Sequence, residues 1–433
     1  MKKMLLVLLI LLSGLKAGDK AFADTVKNSG EFLQWQFKLG ADERLRYEYR
    51  QEFDLDRSRQ DMGNLFFHRL KLNATATFSD EYLNDVLTVF VEGLDAQTWG
   101  YQLKAQANQV DDFDFHQGYV TINNIAGSDL DFTAGRKELK YGNGRLIAQP
   151  SWSNRVRSFD AGVLHYDHAG WWGDLLYAQD VKHDDNNFNF SYDGEFVSGF
   201  YGGYQKDKVS PLFETYFLTQ VIGKTPVTSH RYTVGGRFQS QIWSHALLEI
   251  EAPWQFGDTG TQDIRAYAWN VSLSKSFDEA FLKPKVNFEY NVASGDKSPT
   301  DTESNTFMPL YQTTHDPYGL IDLFRWQNMR EVATGVDLLP TEKFKLRPQV
   351  NFFWLESKFD PWVNSSGTTV RSKTGGNREY YVGNEASLRA YYDVTKNIKW
   401  ETGYAHFFTG EYIEDSGADD DVDWAYTQVT FKY

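Results

Sequence analysis

Two stretches near the N-terminus alternate polar and apolar side chains at every second position. Over residues 39–49 the apolar side chains share one face, with Glu43 as the interruption. The pattern returns over residues 66–78, where His68 interrupts the apolar face. Successive side chains point to opposite faces of a β-strand, whereas a helix would scatter both sets around its circumference. Both stretches are therefore predicted to be strands with one polar and one apolar face.

Similar stretches continue to the C-terminus, which predicts an all-β protein. The eighteen predicted strands lie near residues 38–50, 66–78, 86–95, 115–123, 130–136, 159–166, 172–181, 196–205, 212–221, 231–240, 246–256, 263–274, 283–293, 324–336, 344–355, 379–393, 398–408 and 422–433. A polar lumen, an apolar outer face and 16% aromatic residues are typical of a transmembrane antiparallel β-barrel.

The connections between these strands favour the same architecture. Every second connection is short, whereas the intervening ones include long segments at residues 137–158, 294–323, 356–378 and 409–421. Bacterial barrels have short periplasmic turns, long extracellular loops and an even number of strands. The last strand runs to the terminal Tyr433 and must pair with the first, because an open sheet edge in lipid would leave backbone groups unpaired.

The N-terminus predicts the compartment. Lys2 and Lys3 precede an apolar run at residues 4–12, and small residues at Ala21 and Ala23 suit a signal peptidase. Residues 1–23 are therefore expected to be a secretory signal peptide, and residues 24–433 a single barrel domain in the outer membrane of a Gram-negative-type bacterium. The chain has no cysteine, and its formal charge of -15 makes nucleic acid an unsuitable partner.

One segment reverses the acidic character of the chain. Between Ala134 and Phe159 it carries one acid, Glu138, and six basic residues, which are Arg136, Lys137, Lys140, Arg145, Arg155 and Arg157. Glycines and a proline in the segment indicate an ordered loop. We expect it to fold into the lumen as a constriction. Alternatively it is a structural plug that packs on wall carboxylates such as Glu249 and Glu251.

Basic residues also occupy the predicted lumen faces of the strands. Because the planar guanidinium fork binds both oxygens of a carboxylate, these residues suit an anionic solute. The pore-lining or constriction candidates are Arg44, Arg46, Arg69, Lys71, Arg136, Arg145, Arg155, Arg157, Arg231 and Arg237. By parity Arg136 falls on the lipid face, so it needs a bulge at Gly135 or a position beyond the membrane to reach the lumen. Lumen faces also carry acids, so cross-wall pairing is the competing interpretation.

Three blocks of the sequence resemble the alginate export family of outer-membrane barrels. The blocks are GRKE, YGNGRL and WSN within residues 135–154, SGD and NTFMPLY within residues 290–311, and GNE and FFTG within residues 383–410. The resemblance implies an 18-stranded monomeric barrel. The best-known member of that family exports the polyuronate alginate through an arginine-rich pore, so the resemblance implies a related transport function.

The expected function is a passive, anion-favouring pore for a carboxylated saccharide, as in alginate-like polymer export, or for small organic anions. Expected partners are membrane lipid and lipopolysaccharide, the anionic solute and periplasmic export proteins. Three alternatives stay open: an uptake porin without polymer export, a plugged structural barrel, and an outer-membrane hydrolase. No enzyme is expected, because H-E-x-x-H and G-x-S-x-G are absent from the sequence, and neither a cofactor nor a metal is expected.

Overall fold

A computed structural model describes residues 33–58, 62–80, 84–101, 109–184, 187–191, 194–224, 227–298, 300–313, 315–372 and 379–433. The predicted signal peptide and the predicted start of the barrel domain at residue 24 lie outside these residues and stay predictions.

Eighteen antiparallel strands in the described residues form one closed sheet. They are β1 Leu33–Gln51, β2 Gly63–Asp80, β3 Asn84–Tyr101, β4 Asp111–Ile122, β5 Leu130–Lys137, β6 Phe159–His168, β7 Trp171–Lys182, β8 Glu195–Tyr204, β9 Leu212–Lys224, β10 Val227–Trp243, β11 Ala246–Thr259, β12 Gln262–Ser276, β13 Lys285–Ala293, β14 Met329–Thr341, β15 Phe344–Trp354, β16 Tyr381–Asp393, β17 Ile398–Thr409 and β18 Val422–Lys432. The predicted barrel and its strand number are confirmed.

Shorter elements lie in the connections. They are the two-residue strands Phe190–Ser191, Glu303–Ser304 and Trp362–Val363, the strand Thr369–Arg371, the 3-10 turn Ile125–Gly127 and the helical turn Glu411–Glu414. Among the described residues, no helix is long and apolar enough to cross a bilayer.

The first and last strands close the sheet. β1 pairs with β18 from Asp42 opposite Lys432 to Gln51 opposite Asp423. Beyond that register, the amide of Tyr433 donates to the carbonyl of Ala41 at 2.9 Å. Closure gives both edge strands a partner, which a sheet surrounded by lipid requires.

The outer face of β1–β3 carries aromatic pairs near both ends of the strands. Trp35 packs on Phe78 near the periplasmic end, with ring centroids 5.0 Å apart, and Phe66 packs on Trp99 near the extracellular end at 5.7 Å. Amphipathic rings favour the two membrane interfaces. The strands between the two pairs therefore cross the apolar layer.

The two polar interruptions of the outer face meet each other. His68 Nε2 lies 3.1 Å from a carboxylate oxygen of Glu43, and His68 Nδ1 lies 3.7 Å from Asp95 of β3. Pairing lowers the cost of ionisable groups on a face turned toward lipid. The breaks in the two alternating patterns therefore form one local cluster.

One predicted strand begins too early. The pattern at residues 324–336 predicted a strand from Phe324, but β14 begins at Met329. Phe324 and Trp326 are buried in the connection before β14, where they pack inside the barrel. Apolar residues two apart in sequence produce the same alternation in a buried loop as in a strand.

We predict that an arginine at Leu72 destabilises the barrel. Leu72 is 45% exposed on the outer face of β2, six residues from both Phe66 and Phe78, which places it near the middle of the apolar layer. Leu72→Arg should lower the free energy of unfolding by about 2–4 kcal/mol. Leu72→Met should change it by less than about 1.5 kcal/mol. Guanidinium unfolding in lipid vesicles measures both, and equal stability of the two variants would contradict the assignment of this face to lipid.

Candidate functional site

Two long connections enter the lumen instead of covering the barrel from outside. We name them the first inward loop, residues 138–158 between β5 and β6, and the second inward loop, the described residues 294–298, 300–313 and 315–328 between β13 and β14. The first is the basic segment found in the sequence. Its inward fold agrees with the geometry expected for a constriction.

Three wall arginines hold the middle of the first inward loop. Arg44 and Arg46 project from β1 and Arg69 from β2, and all three are buried. They donate to the backbone of the tripeptide at residues 151–153. The bonds run from Arg44 to Ser151 O at 2.9 Å and Ser153 O at 3.3 Å, from Arg46 to Trp152 O at 2.8 Å, and from Arg69 to Ser151 O at 2.7 Å and Ser153 O at 3.1 Å.

Arg145 anchors the loop on the opposite wall. Its guanidinium lies 2.7 Å from Glu289, 3.1 Å from Glu249 and 3.8 Å from Glu251. Burial lowers the pKa of Arg145, but the three carboxylates outweigh burial and raise it. The competing expectation, in which the loop packs on Glu249 and Glu251, therefore describes the surroundings of Arg145.

A third anchor holds the start of the first inward loop. The Glu138 carboxylate accepts from Lys71 of β2 and from His116 of β4, and Lys71 also lies 3.3 Å from Glu92. Burial opposes ionisation of Glu138, but the bond from His116 and the charge of Lys71 lower its pKa to about 2. Glu92, His116 and Glu138 come close enough to resemble metal ligands. Lys71 already supplies the positive charge there, so we assign the group to loop attachment.

The two inward loops are joined by backbone hydrogen bonds. Ile147 and Tyr311 form a parallel bridge, in which the amide of Ala148 donates to Tyr311 O at 2.8 Å and the amide of Tyr311 donates to Leu146 O at 2.6 Å. Further along, Thr313 N donates to a carbonyl of the first loop at 3.0 Å. The constriction is therefore one unit built from two distant segments.

Glu385 on β16 attaches the second inward loop to the wall. It is 1% exposed, and its two carboxylate oxygens accept from the amides of Leu320 at 2.6 Å and Ile321 at 3.0 Å. A buried carboxylate needs such donors, because an unpaired charge away from water is costly.

Apolar side chains complete the attachment inside the lumen. Phe324 stacks on Phe353 of β15 with ring centroids 3.9 Å apart, and Phe307 meets Trp326 at 5.3 Å. These side chains belong to one buried cluster that includes residues of both loops and of several strands. The loops therefore bring a small hydrophobic core into the barrel.

A basic chamber of about 670 Å³ lies on the extracellular side of the loops. Its charged lining comprises Arg46, Arg50, Arg155, Arg157, Lys182, His183, Asp180 and Asp322. Burial and the neighbouring charges, with Arg155 first among them, lower the pKa of His183 to about 3, so this histidine is neutral at pH 7. Arginine and lysine therefore outnumber the carboxylates of this outer chamber.

A second chamber of about 360 Å³ lies toward the periplasm. Arg347 and Arg389 line it close to the periplasmic ends of β15 and β16. Arg389 pairs with Asp316 of the second inward loop at 2.7 Å, and Arg347 pairs with Asp337. Both of these arginines are therefore neutralised by a carboxylate, unlike the excess cations of the outer chamber.

Two stacked rings lie between the chambers. Trp152 lines the outer chamber, and His315 lines the inner one. Their ring centroids are 3.9 Å apart with an interplanar angle of 13°. His315 Nδ1 also lies 2.9 Å from the Asp322 carboxylate. At this point one ring pair separates the outer chamber from the inner one.

The structure places the remaining sequence candidates in different surroundings. Arg136 keeps its outward parity, because β5 pairs with β4 and β6 without a register shift at Gly135, and it pairs with Asp160 at 2.8 Å. Arg136 therefore leaves the set of lumen residues. Arg155 and Arg157 line the outer chamber. Arg231 donates to the side chain of Gln255 at 3.0 Å.

Arg237 belongs to the same ion network as Arg145. It pairs with Glu214 and, at 2.8 Å, with Glu249, and it donates to Asn143 of the first inward loop at 3.2 Å. These contacts favour a structural role for Arg237 in holding the first inward loop against the wall.

The inward position of the second loop differs from the sequence-based expectation, in which this long connection is extracellular. A sequence feature of strands β6–β9 could have indicated that a loop enters the lumen. Nine lumen-side positions of β6–β9 are apolar where a water-filled barrel would be polar, namely Phe159, Ala161, Val163, Leu176, Ala178, Val197, Tyr201, Tyr216 and Leu218. Such a wall requires an apolar cover inside the barrel.

The chain is similar in sequence to one protein family and in fold to several solved structures. A family model described as alginate export matches residues 35–424. No curated protein sequence matches the chain. Among solved structures, Pseudomonas aeruginosa OccK2 (OpdF) is similar at a TM-score of 0.62 and 11% identity, covering 92% of this chain and 97% of that one. Acinetobacter baumannii OccAB2 gives 0.61 and 11%, covering 92% and 98%, and P. aeruginosa OccK5 (OpdH) gives 0.58 and 12%, covering 92% and 97%.

We predict that Arg145→Met destabilises the folded protein by about 3–5 kcal/mol, because it leaves three lumen carboxylates without their shared cation. Lys140→Met removes an exposed basic residue of the same loop and should change stability by less than about 0.5 kcal/mol. Guanidinium unfolding in detergent micelles measures both. Equal losses for the two variants would show that the Arg145 network does not hold the loop.

Proposed function

Because the chain is an outer-membrane channel that belongs to the alginate export family, we propose that it passes a carboxylated saccharide or small organic anions by passive diffusion. The outer chamber is the observation that carries this proposal. Arg46, Arg50, Arg155, Arg157 and Lys182 face Asp180 and Asp322 there.

Carboxylates behind the wall of the outer chamber do not cancel the excess of positive charge that lines it. Glu48 lies 2.8 Å from both Arg46 and Arg50, which adds one carboxylate behind the chamber wall. Asp180 lies 2.6 Å from Lys182 and 3.5 Å from Arg157. Lys182 also lies 3.5 Å from Glu195, which brings the carboxylates to four. Among the described residues, the five cations still outnumber them. In a narrow space with low-dielectric walls such an excess raises the local concentration of anions.

Arginine makes carboxylates the preferred anions. Four of the five cations are guanidinium groups, whose planar fork binds two oxygens at once. Trp152 and Phe53 add apolar surface to the same chamber. A sugar acid offers both a carboxylate and an apolar ring face, so it matches this lining better than an inorganic anion does.

A passive pore has no preferred direction, so the same chamber serves export or uptake according to the solute gradient. A closed barrel also contains its whole lumen within one chain, which supports a monomer as the working unit. The barrel is embedded in lipid. If the solute is an exported polymer, the proposal also includes periplasmic export proteins as partners.

A second candidate, a plugged barrel with a structural role, is favoured by one observation. The inward loops are held by Arg145, by the wall arginines and by an apolar cluster, so they fill much of the lumen. A permanently plugged barrel would conduct no ions in a planar bilayer, whereas a channel with closing loops would open at least part of the time.

We predict that the wild-type channel prefers chloride over potassium in planar bilayers and that Arg155→Gln/Lys182→Gln reduces this preference. The two changes remove positive charge from the outer chamber. The matched control is Arg265→Gln/Lys275→Gln, which removes one arginine and one lysine from the outward face of β12 and should leave selectivity unchanged. Reversal potentials in a salt gradient measure the effect. Cation preference in the wild type would overturn the proposed function.

A further inference from the structure

We propose that Arg44, Arg46 and Arg69 form a carboxylate-binding site that the chain's own tripeptide at residues 151–153 occupies in the closed state. A carboxylated solute that takes the place of the tripeptide carbonyls then opens the passage between the two chambers. This inference rests on the proposed function, since it assigns the solute a second role as the opening ligand.

The three arginines bind uncharged acceptors in the tripeptide. All five bonds from the guanidinium groups to the tripeptide end on neutral backbone carbonyls. A carbonyl oxygen carries no net charge, whereas a carboxylate adds a full negative charge and accepts two parallel bonds from one planar guanidinium fork. A carboxylate therefore competes well for donors that now bind carbonyl oxygens.

The charge balance of the three arginines favours such a ligand. Arg44 and Arg69 lie directly opposite each other on β1 and β2, so their like charges are neighbours. Arg46 pairs with Glu48 at 2.8 Å, and Arg69 reaches Asp42 only at 3.6 Å. Among the described residues, no carboxylate lies within ion-pair distance of Arg44. An incoming anion would relieve this repulsion.

Unused donors point to the same chemistry. The Nε–H groups of Arg44 and Arg69 are buried and donate no hydrogen bond within the described part of the chain. Arg44 is 3% and Arg69 is 7% exposed. Buried donors are normally paired, and an unmet one carries a cost of about 1–3 kcal/mol. The two oxygens of a carboxylate can accept hydrogen bonds from these Nε–H groups.

The tripeptide also carries the ring that separates the chambers. Trp152 packs between Arg46, whose guanidinium carbon lies 3.9 Å from the ring centroid, and His315, at 3.9 Å between ring centroids. Its carbonyl is the acceptor of Arg46. If a solute takes over the arginines, the Trp152 ring loses its fixed position between Arg46 and His315. Release of the tripeptide, which acts as a latch, and opening of the partition are then one event.

One edge of the site borders the extracellular chamber. Arg46, Trp152 and Ser153 all line that chamber. A solute collected by its basic wall therefore meets the latch without crossing the partition.

The test uses the full-length protein in planar bilayers with sodium glucuronate as the carboxylated probe and glucose as its neutral counterpart. Glucuronate on the extracellular side should raise the open probability by about threefold or more, whereas equimolar glucose should not change it. Arg44→Lys/Arg69→Lys keeps both charges but loses the planar forks, so it should retain anion preference and lose the glucuronate response. Arg265→Lys on the outer face should respond as the wild type does.

A chemical readout tests the movement without relying on conductance. The chain has no cysteine, so Ser153→Cys introduces a single thiol at the latch. Glucuronate should speed its modification by a water-soluble thiol reagent by about threefold or more, and glucose should not. Ser58→Cys in the exposed loop after β1 should react at the same rate with either sugar.

The outcomes separate this inference from the proposed function. Suppose that the wild type is anion-selective but that glucuronate changes neither its open probability nor the thiol reactivity of the Ser153→Cys variant. That result would overturn the latch and leave the channel proposal standing. A cation-selective wild type would overturn both. Equal effects of glucose and glucuronate would also overturn the latch, because carboxylate recognition by the arginines would then play no part.

Discussion

Satisfying backbone polar groups in lipid is the constraint on which this structure depends. Each strand needs a partner on both sides, so β1 must meet β18, and the pairing continues to the terminal Tyr433. Closure fixes which side chains face lipid and which face the lumen. It also creates an enclosed space whose polar groups can be satisfied only by water, by the wall or by loops that enter it. The inward loops are one solution to that second requirement.

The lumen combines two kinds of electrostatic contact that have different consequences. Arg145 meets three carboxylates, so its charge is compensated and its position is fixed. Arg44 and Arg69 meet mostly carbonyl oxygens, so their charge is held in place but less compensated. The first arrangement stabilises the closed loop, while the second leaves attraction for an anion. Counting basic residues in the sequence does not distinguish these two arrangements.

Much of the fold was predictable because the pattern that defines it is local. Alternation along each strand depends only on neighbours two residues apart, so strands such as β1 and β2 were located within a few residues. The same locality explains the error at Phe324, whose apolar alternation belongs to a buried loop. The inward position of the first loop was expected from its basic charge and glycines. The second inward loop carries no such charge, and its contacts with β16 are distant in sequence.

Local features of the sequence were enough to specify an 18-stranded barrel, because period-two alternation and the spacing of turns give the strand number and the facing of side chains. They also placed arginines on the lumen face. The partner of each arginine became known only from the folded arrangement. Arg136 turned out to face outward beside Asp160, Arg145 to join three glutamates, and Arg44 to hold the backbone of a loop more than a hundred residues away. Those partners depend on how distant segments share one enclosed volume, which no local pattern encodes.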